Sequence, residues 1–140
     1  SHMKESLQAI SEKARNSADF FIGDMIPTCI NDDIKLAKAV NRKTLTSYAY
    51  LPNYRNYWKE AGYREEMEGI EAAISAGDRE RVQYFLTDSW LSDTTLFGSA
   101  SQVREGVEAW FDAGIKTPIL VPSSANGGQM IAFEEMLAIW

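Results

Sequence analysis

Apolar residues recur at three- and four-residue spacing along most of the chain, and this helical rhythm breaks into compact apolar runs at two places. Leu7, Ile10 and Ala14 predict a weak helix with polar faces over Lys4 to Ser17. Phe20 to Ile26 is short, aromatic and β-branched, which predicts a strand, with Pro27 bending the chain out of it. Asn31-Asp32-Asp33 can cap a helix running from about Asp33 to Tyr50, with Leu36, Val40 and Tyr48 near one face. Pro52 ends or restarts it, since proline is tolerated only in a first turn.

A second helical run carries Tyr54, Tyr57, Trp58 and Ala61 and should stop at Gly62. Met67, Ile70, Ala73 and Ile74 form a third stripe closed by Gly77, and Asp78 caps a short fourth helix with Val82, Phe85 and Leu86. Ser99 and Gln102 have the spacing of a capping box. Val103, Val107, Trp110 and Phe111 continue that helix, and Gly114 stops it. Residues 117–121 then read as a strand with Pro118 at its start. After the loop from Ser123 to Gly128, a last helix from Gln129 to Trp140 carries Ile131, Met136 and Ile139.

Two strands near 20–26 and 117–121, with five to seven helices, do not make an ordinary sheet of 4–6 strands. Both strands are apolar enough to want burial on both faces, as parallel strands of α/β architecture are. A closed (β/α)₈ barrel takes about 250 residues, more than the 140 present. The expected fold is α/β by ancestry and mostly helical in content, a partial TIM-like barrel.

Composition narrows the chemistry. The one histidine, His2, lies in Ser1-His2-Met3, which reads as an expression-tag remnant, leaving residues 4–140 as a single segment. Without it, histidine-based triads and His–metal sites are excluded within this chain, and no metal site is expected. Cys29 is the only cysteine, so no internal disulfide forms, and its commonest role is a small core residue. A net charge of −6 with dispersed Lys and Arg argues against a nucleic-acid partner. No run reaches the length of a membrane span or resembles a signal peptide, so a cytoplasmic location is expected.

Three stretches, taken in order, resemble the C-terminal part of luciferase-like monooxygenases, especially their deazaflavin-dependent relatives. The first is Ala18 to Gly23 with Ile26-Pro27 and Asp32-Asp33. The second is Tyr48 to Tyr54 around Leu51-Pro52, followed by Trp58 and Ala61-Gly62-Tyr63. The third is Phe97-Gly98-Ser99 with Val103, Val107, Ala113-Gly114-Ile115, Pro118-Ile119-Leu120 and Pro122. Ala100 stands where the family usually has proline, which leaves the cap intact. The resemblance implies a barrel enzyme that uses FMN or a deazaflavin coenzyme on a small organic substrate, of which this chain supplies only the last part.

In a barrel the loops after the last strands often hold phosphate. That geometry points to Thr28, Ser123, Ser124, Gly127 and Gly128 as cofactor-binding candidates, with hydroxyls and close backbone N–H groups suited to an anion. A plain turn and N-cap is the commoner meaning of such a loop. Asp24, Asp32 and Asp33 are candidate acids or bases, although capping accounts for the last two. Tyr48, Tyr50, Tyr54, Tyr57 and Trp58 could wall a flat ring, but at helical spacing they more often form core or interface. No catalytic residue is assigned.

The expectation is a C-terminal fragment of a flavin- or deazaflavin-dependent oxidoreductase, inactive when isolated. It would form a homo-oligomer or associate with the missing part of the barrel. The alternative is a non-catalytic helical interaction or assembly module that self-associates through its strand edges.

Overall fold

A computed structural model describes Glu5, Gln8 and residues 21–140. Apart from Glu5 and Gln8, the helix expected over Lys4 to Ser17 lies outside the described residues, as do the start of the strand at Phe20 and His2. The described elements run β1 (Gly23–Ile30), α1 (Ile34–Ala49), α2 (Pro52–Glu60), α3 (Arg64–Ser75), α4 (Arg79–Tyr84), α5 (Asp88–Thr94), β2 (Leu96–Gly98), α6 (Ala100–Asp112), β3 (Thr117–Ser123) and α7 (Gln129–Leu137). The fold is mixed α/β and mostly helical, and seven helices among the described residues lie within the expected range. None of these helices is long and apolar enough to cross a membrane.

The strands form one parallel sheet in the order β2–β1–β3, so there are three where two were expected. β1 also does not end at Ile26. It continues through Pro27 to Ile30, pairing Met25 with Ile119, Thr28 with Pro122 and Cys29 with Phe97. The reason lies in the direction of the N–H groups. The N–H of Asn31 donates to the Gly98 carbonyl at 2.8 Å, so strand alternation turns residues 29 and 27 to the same side. There β2 begins only opposite Thr28, and the missing N–H of Pro27 costs no ladder bond.

The prolines of β3 obey the same rule. Thr117 donates its N–H to the Ile22 carbonyl, so residues 117, 119, 121 and 123 face β1 while Pro118 and Pro122 face the edge that has no partner strand among the described residues. Pro118 therefore sits near the start of its strand, as its chemistry requires.

Local signals set most helix ends. Asp33 accepts from the N–H groups of Lys35 and Leu36, Asp78 from Arg81, and Ser99 and Gln102 form the reciprocal capping box. Gly62, Gly77 and Gly114 follow helix ends at positive φ. The buried face of α1 differs from the expected one: Ala37, Asn41, Leu45 and Ala49 turn inward, while Leu36 and Tyr48 are exposed. Asn41 is admitted because its side-chain amide donates to the Leu96 carbonyl at 3.0 Å.

Two cores result. α1 to α5 enclose a cluster around Trp58, Met67, Ile70, Trp90 and Leu91. Ile26, Leu96, Val103, Val107 and Ile139 form the second, between the sheet and α6 and α7. Adjacent residues of β2 separate them, since Phe97 packs on the first and Leu96 belongs to the second. The N-terminal half of the Phe97 face is uncovered: paired Met25 and Ile119 are 65% and 41% exposed.

Candidate functional site

Because the strands are parallel, Ile30, Gly98 and Ser123 bring their C-terminal ends to one side of the sheet, where α/β proteins build ligand sites. Asn31 links the three segments there. Its N–H donates to Gly98, its side-chain oxygen accepts from the Asp33 N–H at 2.8 Å, and its amide nitrogen donates to Asn126 Oδ1 at 3.5 Å. The result is a tied platform under the loop from Ser123 to Gly128.

The loop is organised around a carboxylate that the sequence did not single out. Ser124 Oγ and Asn126 Nδ2 both donate to Glu135 Oε1, at 3.0 and 2.9 Å. Ser124 Oγ also accepts from the Asn126 N–H at 2.9 Å, and Gln129 Nε2 donates to the Pro122 carbonyl at 3.2 Å. Glu135 Oε2 is buried and has no hydrogen-bond partner among the described residues. The only sequence sign of Glu135 was a polar position on a helix, which says nothing about burial.

A cavity of about 170 Å³ is lined by Ser123, Ser124, Gly127, Gly128, Gln129 and Ala132. Four of the five expected site residues thus come together. Thr28 is not in that lining: it is fully buried, its hydroxyl donates to the Ile26 carbonyl at 2.9 Å, and strand alternation puts it on the face opposite Ser123. α7 starts at Gly128 without a side-chain cap, so its first N–H groups are left to solvent or a ligand. A Cβ on Gly128 would meet nothing within 4 Å, whereas one on Gly127 would press on Ile131 at 2.8 Å.

Cys29 lies beneath this loop. Burial pushes its thiol pKa up, and the charge of Glu135 adds to the effect against a hydrogen bond with the Ala125 backbone. A thiol held protonated and fully buried is a core residue, in keeping with the expectation from its neighbours. Asp33 is occupied as a helix cap. Asp24 stands at the other end of β1, where burial raises its pKa. Ring contacts run from the exposed Tyr48 through Tyr54 and Trp58 to Trp90, leading into the helical core rather than lining the loop.

The cavity does not fit a whole flavin or deazaflavin. Pockets for ligands of that size measure roughly 300–1,000 Å³. No Lys or Arg lines it, and the Glu135 carboxylate beside Ser124 repels a fully ionised phosphate. What the arrangement can do is hold a small hydrogen-bonding group against free backbone N–H groups and serine hydroxyls.

A family model described as luciferase-like monooxygenase matches residues 1–117, a span that includes Ser1-His2-Met3 and ends at the first residue of β3. No curated protein and no solved structure matches the chain.

Proposed function

Since the chain belongs to the luciferase-like monooxygenase family, we propose that residues 4–140 are the closing segment of a TIM-like barrel. The barrel would belong to a flavin- or deazaflavin-dependent oxidoreductase of the cytoplasm. When bound, the cofactor supplies hydride transfer or oxygen activation at its ring, and the protein supplies placement. The observation that carries the segment reading is the sheet itself. β1, its central strand, has β3 on one side throughout but no described neighbour on its β2 side beside Gly23 to Pro27, and Met25 and Ile119 present an apolar face to solvent. Strands buried on both faces by further βα units remove both exposures.

Within that reading, Ser123, Ser124, Gly127 and Gly128 meet a polar part of the cofactor or substrate, and Thr28 stiffens the strand end beneath them. Glu135, which holds Ser124 and Asn126 from behind the cavity lining, disfavours a phosphate there by its negative charge. The catalytic groups lie outside this chain, so the isolated 140 residues show no turnover. The test is a titration of FMN, and separately of reduced deazaflavin coenzyme, into the isolated protein, followed by fluorescence and by substrate oxidation. Unsaturable quenching without turnover is expected. Saturable binding with turnover by the chain alone overturns the proposal.

A further inference from the structure

The last helix is apolar on both sides. Ala132, Met136 and Ile139 turn inward, with Met136 and Ile139 packing against the second core. Met130, Phe133 and Leu137 turn outward, at 70%, 46% and 76% exposure, and Trp140 just beyond the helix is 70% exposed. Positions 130, 133, 137 and 140 alternate steps of three and four, the spacing of a seam that receives another helix. Glu134, exposed between Met130 and Leu137, flanks the row without being one of its members, and methionine and large aromatics are the residues enriched at interface centres. A solvated polar helix does not carry such a row, and exposed apolar patches of this kind mark association sites.

We infer that this face of α7 is a self-association surface, occupied by the same face of a second copy of the chain. A two-fold pairing needs a self-complementary patch, and a continuous apolar seam provides one. At about 200 Å² for each large side chain, the quoted exposures amount to about 500 Å² per copy. A pair then buries about 1,000 Å² in total, at the lower bound for a specific interface, so the dimer is weak and concentration-dependent. The sheet offers no comparable route at β3. Pro118 and Pro122 occupy the outward row of that edge and leave Leu120 as the single N–H donor between them.

This inference is independent of the flavin reading and is tested on the chain alone. Sedimentation velocity of the purified protein from about 10 μM to about 1 mM should show the mass rising from one chain towards two. Met130→Glu and Leu137→Glu should each hold the protein at the mass of one chain across that range. Their circular dichroism and thermal midpoint should match the parent, because both side chains are solvated in the single chain. Met25→Glu, on the open sheet face, should dimerise like the parent. A single-chain mass at every concentration overturns the inference. So does a dimer that survives both α7 substitutions or is lost in Met25→Glu instead.

Discussion

Trp58 of α2 and Trp90 of α5 meet edge to face, with ring centroids 4.8 Å apart and planes at 87°. Trp90 is completely buried, and its indole N–H has no hydrogen-bond partner among the described residues. The pair joins helices whose sequence positions are more than thirty apart, and α5 was not anticipated from the sequence at all. Seven residues of polar and mixed character gave no periodic stripe, so the largest fully buried side chain among the described residues was missed.

Trp90→Ala is therefore expected to cost about 3–5 kcal/mol, from lost burial plus the cavity left behind. Trp90→Phe should cost under half as much, since it keeps a ring in place and removes an unpaired buried donor. Urea unfolding of both variants checks this. Equal losses would show that the indole N–H is satisfied by something else, such as a buried water.

The acid limb of stability follows from two carboxylates, each paired with two cations. Hydrogen bonds from Lys38 first and then Arg42, at 2.6 and 2.5 Å, hold the Asp88 carboxyl below its usual pKa. Lys59 and Arg55 act likewise on Glu71. A lowered folded pKa gives stability that is present above the unfolded value and lost as pH falls through the folded one. Asp88→Asn and Glu71→Gln should thus flatten the decline below about pH 4. The effect is small for the exposed Asp88 and shrinks in high salt.

Asp24 has the opposite sign. Burial raises its pKa, so the folded state binds a proton more tightly than the unfolded chain does. Stability is then lost as pH rises from the unfolded to the folded value, and the penalty persists at neutral pH. Asp24→Asn should raise the thermal midpoint at pH 7 and leave it unchanged well below pH 3.8. A lower midpoint at pH 7 would show that the carboxylate is paired.

Gly98 stands where β2 turns into α6, with φ +118°, and a Cβ there would meet Gln102 Oε1 at 2.4 Å. Gln102 at this point closes the capping box on Ser99. Gly98→Ala is expected to destabilise by about 1–3 kcal/mol through backbone strain and a displaced cap. Denaturant midpoints measured for this variant and for Gln102→Ala separate the two contributions.

Gly128 is the contrasting case. A side chain there has open space, and serine would supply the cap that α7 lacks. Gly128→Ser should leave stability unchanged or raise it by a few tenths of a kcal/mol. It should weaken any small ligand held in the cavity, as titration calorimetry with a candidate polyol or amide would read. Unchanged ligand affinity would place the binding contacts elsewhere.

Much of the helical part was legible in the sequence. Asp33, Asp78 and Ser99 announce helix starts, and Gly62, Gly77 and Gly114 announce stops, because a cap is decided within four residues of itself. The strands were less legible. Pro27 reads as a strand end when its missing N–H is assumed to face a neighbour, and it is tolerated because β2 starts one residue later. The three residues of β2 are too few to show a period, and Leu96, Phe97 and Gly98 become a strand only by pairing with residues nearly seventy positions earlier.

The candidate site divides in the same way. Serines and glycines between a strand and a helix marked the loop from Ser123 to Gly128 from composition alone. Nothing local placed Glu135 under that loop, or set Thr28 on the opposite face of the sheet from Ser123. By itself the sequence determined the family and those helix ends that caps and glycines mark, since these depend on residue identity and short-range spacing. The tertiary structure decided which face of each helix is buried, where β1 ends and what charge the loop carries. Those depend on contacts between residues far apart in the chain, and a local pattern holds no record of them.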